Sequence, residues 1–184
     1  MKKVLIPLAE GFEEIETITI VDVLRRGNVS AVLASISQEL CVKGAHGVEI
    51  KADVLLSEVS GDDFAAVVLP GGAGGTEKLR VCDVLKDILW RHKENGAIIA
   101  AICAAPIVLV DFELLDREHH ITCYPSVVTE IDRPSANAPV VADGNVITGQ
   151  GPASAMLFAL VLLSALEGEV KARKVSRGVL FDGF

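Results

Sequence analysis

The segment Ala97-Ile98-Ile99-Ala100-Ala101-Ile102-Cys103-Ala104-Ala105-Pro106 carries the most reactive candidate group in the chain. An apolar run feeds into a cysteine, two small residues follow, and a helix-compatible stretch begins. This predicts a strand–turn–helix elbow with a thiol at its tip, where small neighbours relieve crowding. Backbone N–H groups at the start of a helix attract an anion and so favour a thiolate. The plain alternative is a buried structural cysteine, because free Cys is among the most buried residue types.

The second candidate is Glu16, in Gly11-Phe12-Glu13-Glu14-Ile15-Glu16-Thr17. Three acids open a predicted helix, where the dipole favours them. Ile20 and Val23 share the face of Glu16, which predicts a partly buried carboxyl. The dipole contributes ~0.3–1 kcal/mol toward ionisation. Burial can raise a carboxyl pKa by up to ~3–5 units. Burial dominates, so Glu16 is expected to hold its proton near neutrality. A neutral acid beside Cys103 would donate a hydrogen bond to a thiolate, and the pair would share one proton. An ordinary thiol, with a pKa of ~8.5, is only a few per cent ionised at pH 7. Lowering it to about 5.5 takes about 4 kcal/mol. Helix amides and one charge-assisted hydrogen bond are of that order.

The third is the loop Pro70-Gly71-Gly72-Ala73-Gly74-Gly75 after the apolar run Val67–Leu69. Glycines such as Gly71 and Gly72 let backbone N–H groups approach a bound oxygen closely. No Gly-Lys-Ser/Thr follows, so it is not a P-loop, and the spacing is poor for a dinucleotide fingerprint. Taken alone, the segment is equally a plain turn.

The elements that must position these groups alternate along the chain. Strands are predicted at Val4–Leu8, Val29–Ile36, Val48–Ala52, Phe64–Leu69, Ala97–Ile102, Ile121–Tyr124, Val140–Val141 and Val146–Thr148. Helices are predicted over Glu13–Arg26, from Thr76 to about Asn95, over Ala104–Val110, and from Gly151-Pro152 to Leu166. Gln38–Gly47 is a loop or hairpin, and Asp143-Gly144 a hairpin turn. Solid apolar strands alternating with helices imply an α/β sandwich, with a mostly parallel sheet covered on both faces. In such sheets, sites form at the carboxyl ends of the strands.

The 184 residues make one domain, 1–184. At 51% hydrophobic and 23% charged the chain is globular rather than disordered. A net charge of −8 and an aromatic content of 4% disfavour nucleic acid and anionic lipid as partners. The longest apolar run, Ala155–Leu166, suits a buried helix rather than a membrane span. Cys41, Cys82, Cys103 and Cys123 form no CxxC pair, so no metal is expected, and scattered reduced thiols suit a cytoplasmic compartment.

The motifs Glu13-Glu14-Ile15-Glu16-Thr17, Val21-Asp22-Val23-Leu24-Arg25-Arg26, Val68-Leu69-Pro70-Gly71-Gly72, Ala100-to-Pro106 and Thr148-Gly149-Gln150-Gly151-Pro152 occur in an order that resembles the ThiJ/PfpI superfamily. The likeness is to its DJ-one branch and spans nearly the whole chain. It implies a flavodoxin-like sandwich and a homodimer in which the Glu13–Arg26 helix packs against its mate. It also implies a nucleophilic Cys103 with Glu16 as protonated partner. The N–H groups of Gly72 and Ala104 would form an oxyanion site, with Gly71, Tyr124 and Pro152 near the pocket. His46 and Arg25 or Arg26 would lie near the pocket or the dimer seam. The activities it implies are cofactor-free conversion of small reactive aldehydes to 2-hydroxy acids and removal of early glycation adducts. The alternative it carries is an oxidisable cysteine with a sensor or chaperone role. Two positions depart from the pattern. Tyr124 stands where many members have a His, and a phenol of pKa about 10 is a poor base at pH 7. His46 stands where relatives have an Arg, so any anion binding there is expected to fade above about pH 6.5. No Cys–His pair is evident, which argues against peptidase or amidase chemistry.

Overall fold

In the computed structural model, residues 1–60, 64–116, 118–131 and 135–184 are described. The chain builds β1 (Lys3–Leu8), α1 (Glu14–Arg26), β2 (Ser30–Ser35), β3 (Cys41–Lys43), β4 (Glu49–Lys51), β5 (Val54–Leu55) and β6 (Ala66–Leu69). It continues with α2 (Ala73–Leu79), α3 (Asp83–Glu94), β7 (Ile98–Ile102), α4 (Pro106–Asp111), β8 (Val140–Asp143), β9 (Val146–Gly149), α5 (Ala155–Glu167) and α6 (Glu169–Gly178).

Seven strands form one sheet in the order β5-β2-β1-β6-β7-β9-β8. All neighbours run parallel except β8, which pairs antiparallel with β9 at the edge. The predicted mostly parallel α/β sandwich is therefore the observed fold. Successive strand residues point to opposite faces, and the core divides accordingly. Val4, Ile6, Leu8, Ala100 and Ile102 pack with α1, α5 and α6. Leu5, Ile99 and Ala101 pack with α3 and α4 on the other face. The central strands are buried on both sides, which explains their unbroken apolar sequence.

Three expectations are corrected. The predicted helix from Thr76 to Asn95 is two helices. The first starts at the glycine loop, with Gly72 preceding it, so Thr76 is interior. The chain then breaks at Cys82, which is extended before Asp83 opens the next helix, while Arg80 is drawn to Asp111, Glu77 and Glu130. The predicted strand Ile121–Tyr124 is reduced to one bridge, Ile121 with Ser135. Its donors go elsewhere, Thr122 N–H to Thr148 Oγ1 and Tyr124 N–H to the Cys103 carbonyl. Helix α6 was not anticipated, although Ala172, Val175 and Ser176 bury one face at helical spacing. The Gln38–Gly47 segment does form a hairpin, with β3 and β4 antiparallel.

Candidate active site

The carboxyl ends of β1, β6, β7 and β9, four neighbours at the sheet centre, converge on Cys103. After β1 the chain turns through Gly11 into α1. The Glu13 carboxylate caps that helix by accepting the Glu16 N–H at 2.7 Å, which fixes the first turn and aims Glu16 inward. After β6 comes Gly71, whose N–H donates to Glu16 Oε2 at 2.8 Å. After β7 comes Cys103 itself. Its N–H donates to the Gly149 carbonyl of β9 at 2.9 Å, and its own carbonyl accepts the Tyr124 N–H at 2.7 Å.

Cys103 has a φ of +65°. A side-chain-bearing residue in this left-handed region costs about 1–2 kcal/mol, so the fold holds the elbow in a strained form. The sulfur lies near the backbone N–H groups of Gly72 and Ala104, both of which favour the thiolate. Gly71 must be glycine here. A Cβ at that position would lie 2.5 Å from Cys103 Cβ and 2.8 Å from Glu16 Oε2.

Glu16 is completely buried, more than the partial burial expected. Burial raises its pKa to about 7, against the opposing pull of the Gly71 N–H and the hydrogen bond with Cys103. Its Oε1 is buried and has no partner. An orphaned carboxylate oxygen is costly in that setting, and protonating the carboxyl removes the charge. Once Glu16 has lost its proton, burial first and then the Glu16 charge push the Cys103 thiol up to about 12. That is opposite to the lowered value expected from the sequence. The two groups form one pair. It loses a first proton near 7 and a second only far higher, so at neutral pH it carries at most one negative charge. Two amides favour that charge on the sulfur, and one favours it on the carboxylate.

The remaining predicted residues divide. Tyr124 and Pro152 border one cavity beside the elbow. His46 does not face Cys103. Its Nδ1 lies 2.8 Å from Glu14 Oε2, and its N–H donates to Glu14 Oε1 at 2.6 Å. This carboxylate raises the His46 pKa, so the charged form persists to higher pH than expected, with its charge already neutralised. Arg26 lies ten residues beyond Glu16 on α1, about 15 Å along the helix. It pairs with Asp22 and borders a separate cavity with Lys171 and Lys174. Arg25 bonds the Ala31 carbonyl and pairs with Asp53. Ligand atoms of Glu13, Glu14 and His46 lie within 4.8 Å of one another, a group that could hold a divalent cation. Their bonds to the Glu16 and His46 N–H groups account for the same arrangement without one. His119 and His120 sit far along the chain and engage Asp116 and Asp143. Sequence reasoning missed the Glu14–His46 contact, which spans 32 residues. No local pattern signals it.

Known proteins match along nearly the whole chain. A model of the "DJ-1/PfpI family" matches residues 2–165. Drosophila melanogaster "Protein dj-1beta" is 37% identical over 182 residues, 97% of each chain. A Caenorhabditis elegans "Glutathione-independent glyoxalase DJR-1.2" is 37% identical, covering 90% of this chain and 89% of that one. Arabidopsis thaliana "Protein DJ-1 homolog B" is 36% identical over 95% of this chain, which spans only 40% of that longer protein. The solved structure of oxidised Toxoplasma gondii DJ-1 superposes with a TM-score of 0.94 at 35% identity, covering 99% of this chain and 100% of that one. With these motifs on this fold, the chain belongs to the DJ-1/PfpI family.

Proposed function

We propose that the protein is a cofactor-independent cysteine enzyme that converts 2-oxoaldehydes such as methylglyoxal to 2-hydroxy acids. The observation that carries this reading is the strained Cys103, its sulfur between two amides and beside a buried, partner-poor carboxyl. The glyoxalase name of the nematode relative supports it.

The thiolate attacks the aldehyde carbon. A C–S bond forms, the carbonyl electron pair moves to oxygen, and Gly72 and Ala104 N–H groups are placed to stabilise that charge. Glu16 gives its proton to this oxygen and becomes a base. It then takes the hydrogen of the same carbon as a proton, giving an enediolate, and returns it to the neighbouring carbon, while the hydroxyl proton passes from the first oxygen to the second. The former aldehyde carbon is now a thioester. Water hydrolyses it, releasing the 2-hydroxy acid and restoring the thiol. One carbon is oxidised and its neighbour reduced, so no external oxidant enters.

Cys103→Ala is expected to abolish methylglyoxal loss. Glu16→Gln is expected to lower kcat/KM by about 10²–10⁴-fold, followed by lactate formation. Full turnover by Cys103→Ala would refute the reading. Deglycation of protein adducts would use the same thiolate.

A second reading, redox sensing with a chaperone role, uses the same sulfur. A relative has been solved in an oxidised form, and a neutral Glu16 could donate to a sulfinate oxygen. Mild peroxide followed by mass spectrometry separates the two. Selective gain of two oxygens at Cys103 with negligible aldehyde turnover favours sensing, and equal oxidation of all four thiols removes the case for it. Exposed Ile15 and Ile18 on α1, with Val48 of the neighbouring hairpin, form an apolar surface that suits a homodimer seam. Four free cysteines suit a reducing compartment such as the cytoplasm. Among the described residues, no helix is long and apolar enough to cross a membrane.

A further inference from the structure

A cavity of about 510 Å³ opens beside the elbow, with walls that include Tyr124, Pro139, Pro152, Ala153, Leu157 and Phe181. It is attached to Cys103 from both sides. The Tyr124 N–H holds the Cys103 carbonyl, and the Cys103 N–H holds Gly149, which leads directly into Pro152. The Tyr124 ring lies over Gly151, where an added Cβ would sit 3.2 Å from it. The two walls therefore meet beside the Cys103 backbone.

The chemistry of the walls is specific. Among the described residues, no Asp, Glu, Lys, Arg or His lines the cavity, so a charged substituent would lose its solvation without a partner from them. Two aromatic rings and several proline faces offer flat apolar surfaces, which favour stacking against another ring. The volume lies in the range that encloses ligands much larger than a three-carbon aldehyde. We propose that this cavity receives the substituent of a larger 2-oxoaldehyde, an uncharged aryl group, while the aldehyde reacts at Cys103. The inference depends on the carbonyl chemistry proposed above and names its preferred substrate class. The stoichiometry is unchanged: an arylglyoxal plus water gives the aryl 2-hydroxy acid. The aldehyde carbon is oxidised, the ketone carbon is reduced, and hydrogen passes between them.

The test compares kcat/KM for phenylglyoxal and methylglyoxal, with loss in Cys103→Ala subtracted as background. The wild type is expected to prefer phenylglyoxal by at least about tenfold, since even one added methylene in an apolar pocket is worth roughly 10–200-fold. Ala153 is exposed, so Ala153→Phe fills the cavity from its rim without disturbing the core. It should bring the aryl-to-methyl ratio toward one, and Phe181→Ala should lower the ratio as well. Turnover of methylglyoxal with no aryl preference, or a ratio unmoved by Ala153→Phe, overturns the cavity assignment alone. Consumption of neither aldehyde overturns the carbonyl reading and the assignment with it.

Discussion

Glu16 concentrates the cost of this site in one carboxyl group. The pair it forms with Cys103 loses its first proton near 7 in the folded chain, above the ordinary carboxyl value of 4.5. Between those two values the folded state keeps a proton that the unfolded chain has lost. Stability is therefore fully present below pH 4.5 and falls as pH rises through about 7. Glu16→Gln has no such proton to lose. Relative to wild type, its unfolding free energy should rise by roughly 3 kcal/mol between pH 4 and pH 8, measured by urea denaturation at both values. A constant difference would mean that Glu16 titrates normally. The burial behind this was legible in the sequence, because Ile20 and Val23 recur on the Glu16 face. A crowded, often strained tip at Cys103 was legible too, and its φ of +65° bears it out, although the angle itself is set by the sheet neighbours that hold the residue at both peptide groups. The diversion of His46 to Glu14 was not, a contact made only once the β3–β4 hairpin folds back against α1.

At the scale of elements, the glycine loop between β6 and α2 sets the distance between thiol and carboxyl. Gly71→Ala would place a methyl between Cys103 and Glu16, and kcat/KM should fall at least about 100-fold. Gly74 is the matched control. It lies within α2, and its added Cβ would meet nothing closer than 3.8 Å. Gly74→Ala should keep activity and raise stability by roughly 0.5–1 kcal/mol, read from thermal melts of both variants. Equal activity in the two would detach the loop from the chemistry. Most elements were legible here because buried parallel strands leave unbroken apolar runs and helices end at glycines. The division of α2 from α3 was not, because no glycine or proline marks the extended Cys82 at which the helical pattern is interrupted. Helix α6 carried a readable spacing at Ala172, Val175 and Ser176, but its polar composition masked it.

For the molecule as a whole, the sheet brings four strand ends together and leaves α1 with one apolar side uncovered. Ile15 and Ile18 lie three residues apart on that side, 59% and 48% exposed. If a second copy covers them, Ile18→Glu should convert the dimer to a monomer in sedimentation equilibrium. The reaction centre lies on the opposite, buried side of α1, so the monomer should retain a folded far-UV spectrum. A wild type that sediments as a monomer would refute the seam. The parallel architecture and the family motifs were readable along the chain. Which surface a partner covers was not, because exposed Ile and Val differ from core ones only after the fold is known.

The central claim is that a proton on Glu16 supports a thiolate at Cys103, and the sign of one shift tests it. The pH dependence of iodoacetamide labelling at Cys103 should be measured in wild type and in Glu16→Gln. The account predicts a wild-type midpoint near 7, where the pair loses its first proton, under the ordinary thiol value of ~8.5, and a higher midpoint in the variant, whose amide is the weaker donor. A wild-type midpoint above about 9 that falls when Glu16 is neutralised would contradict it, because the carboxyl would then be an anion repelling the sulfur.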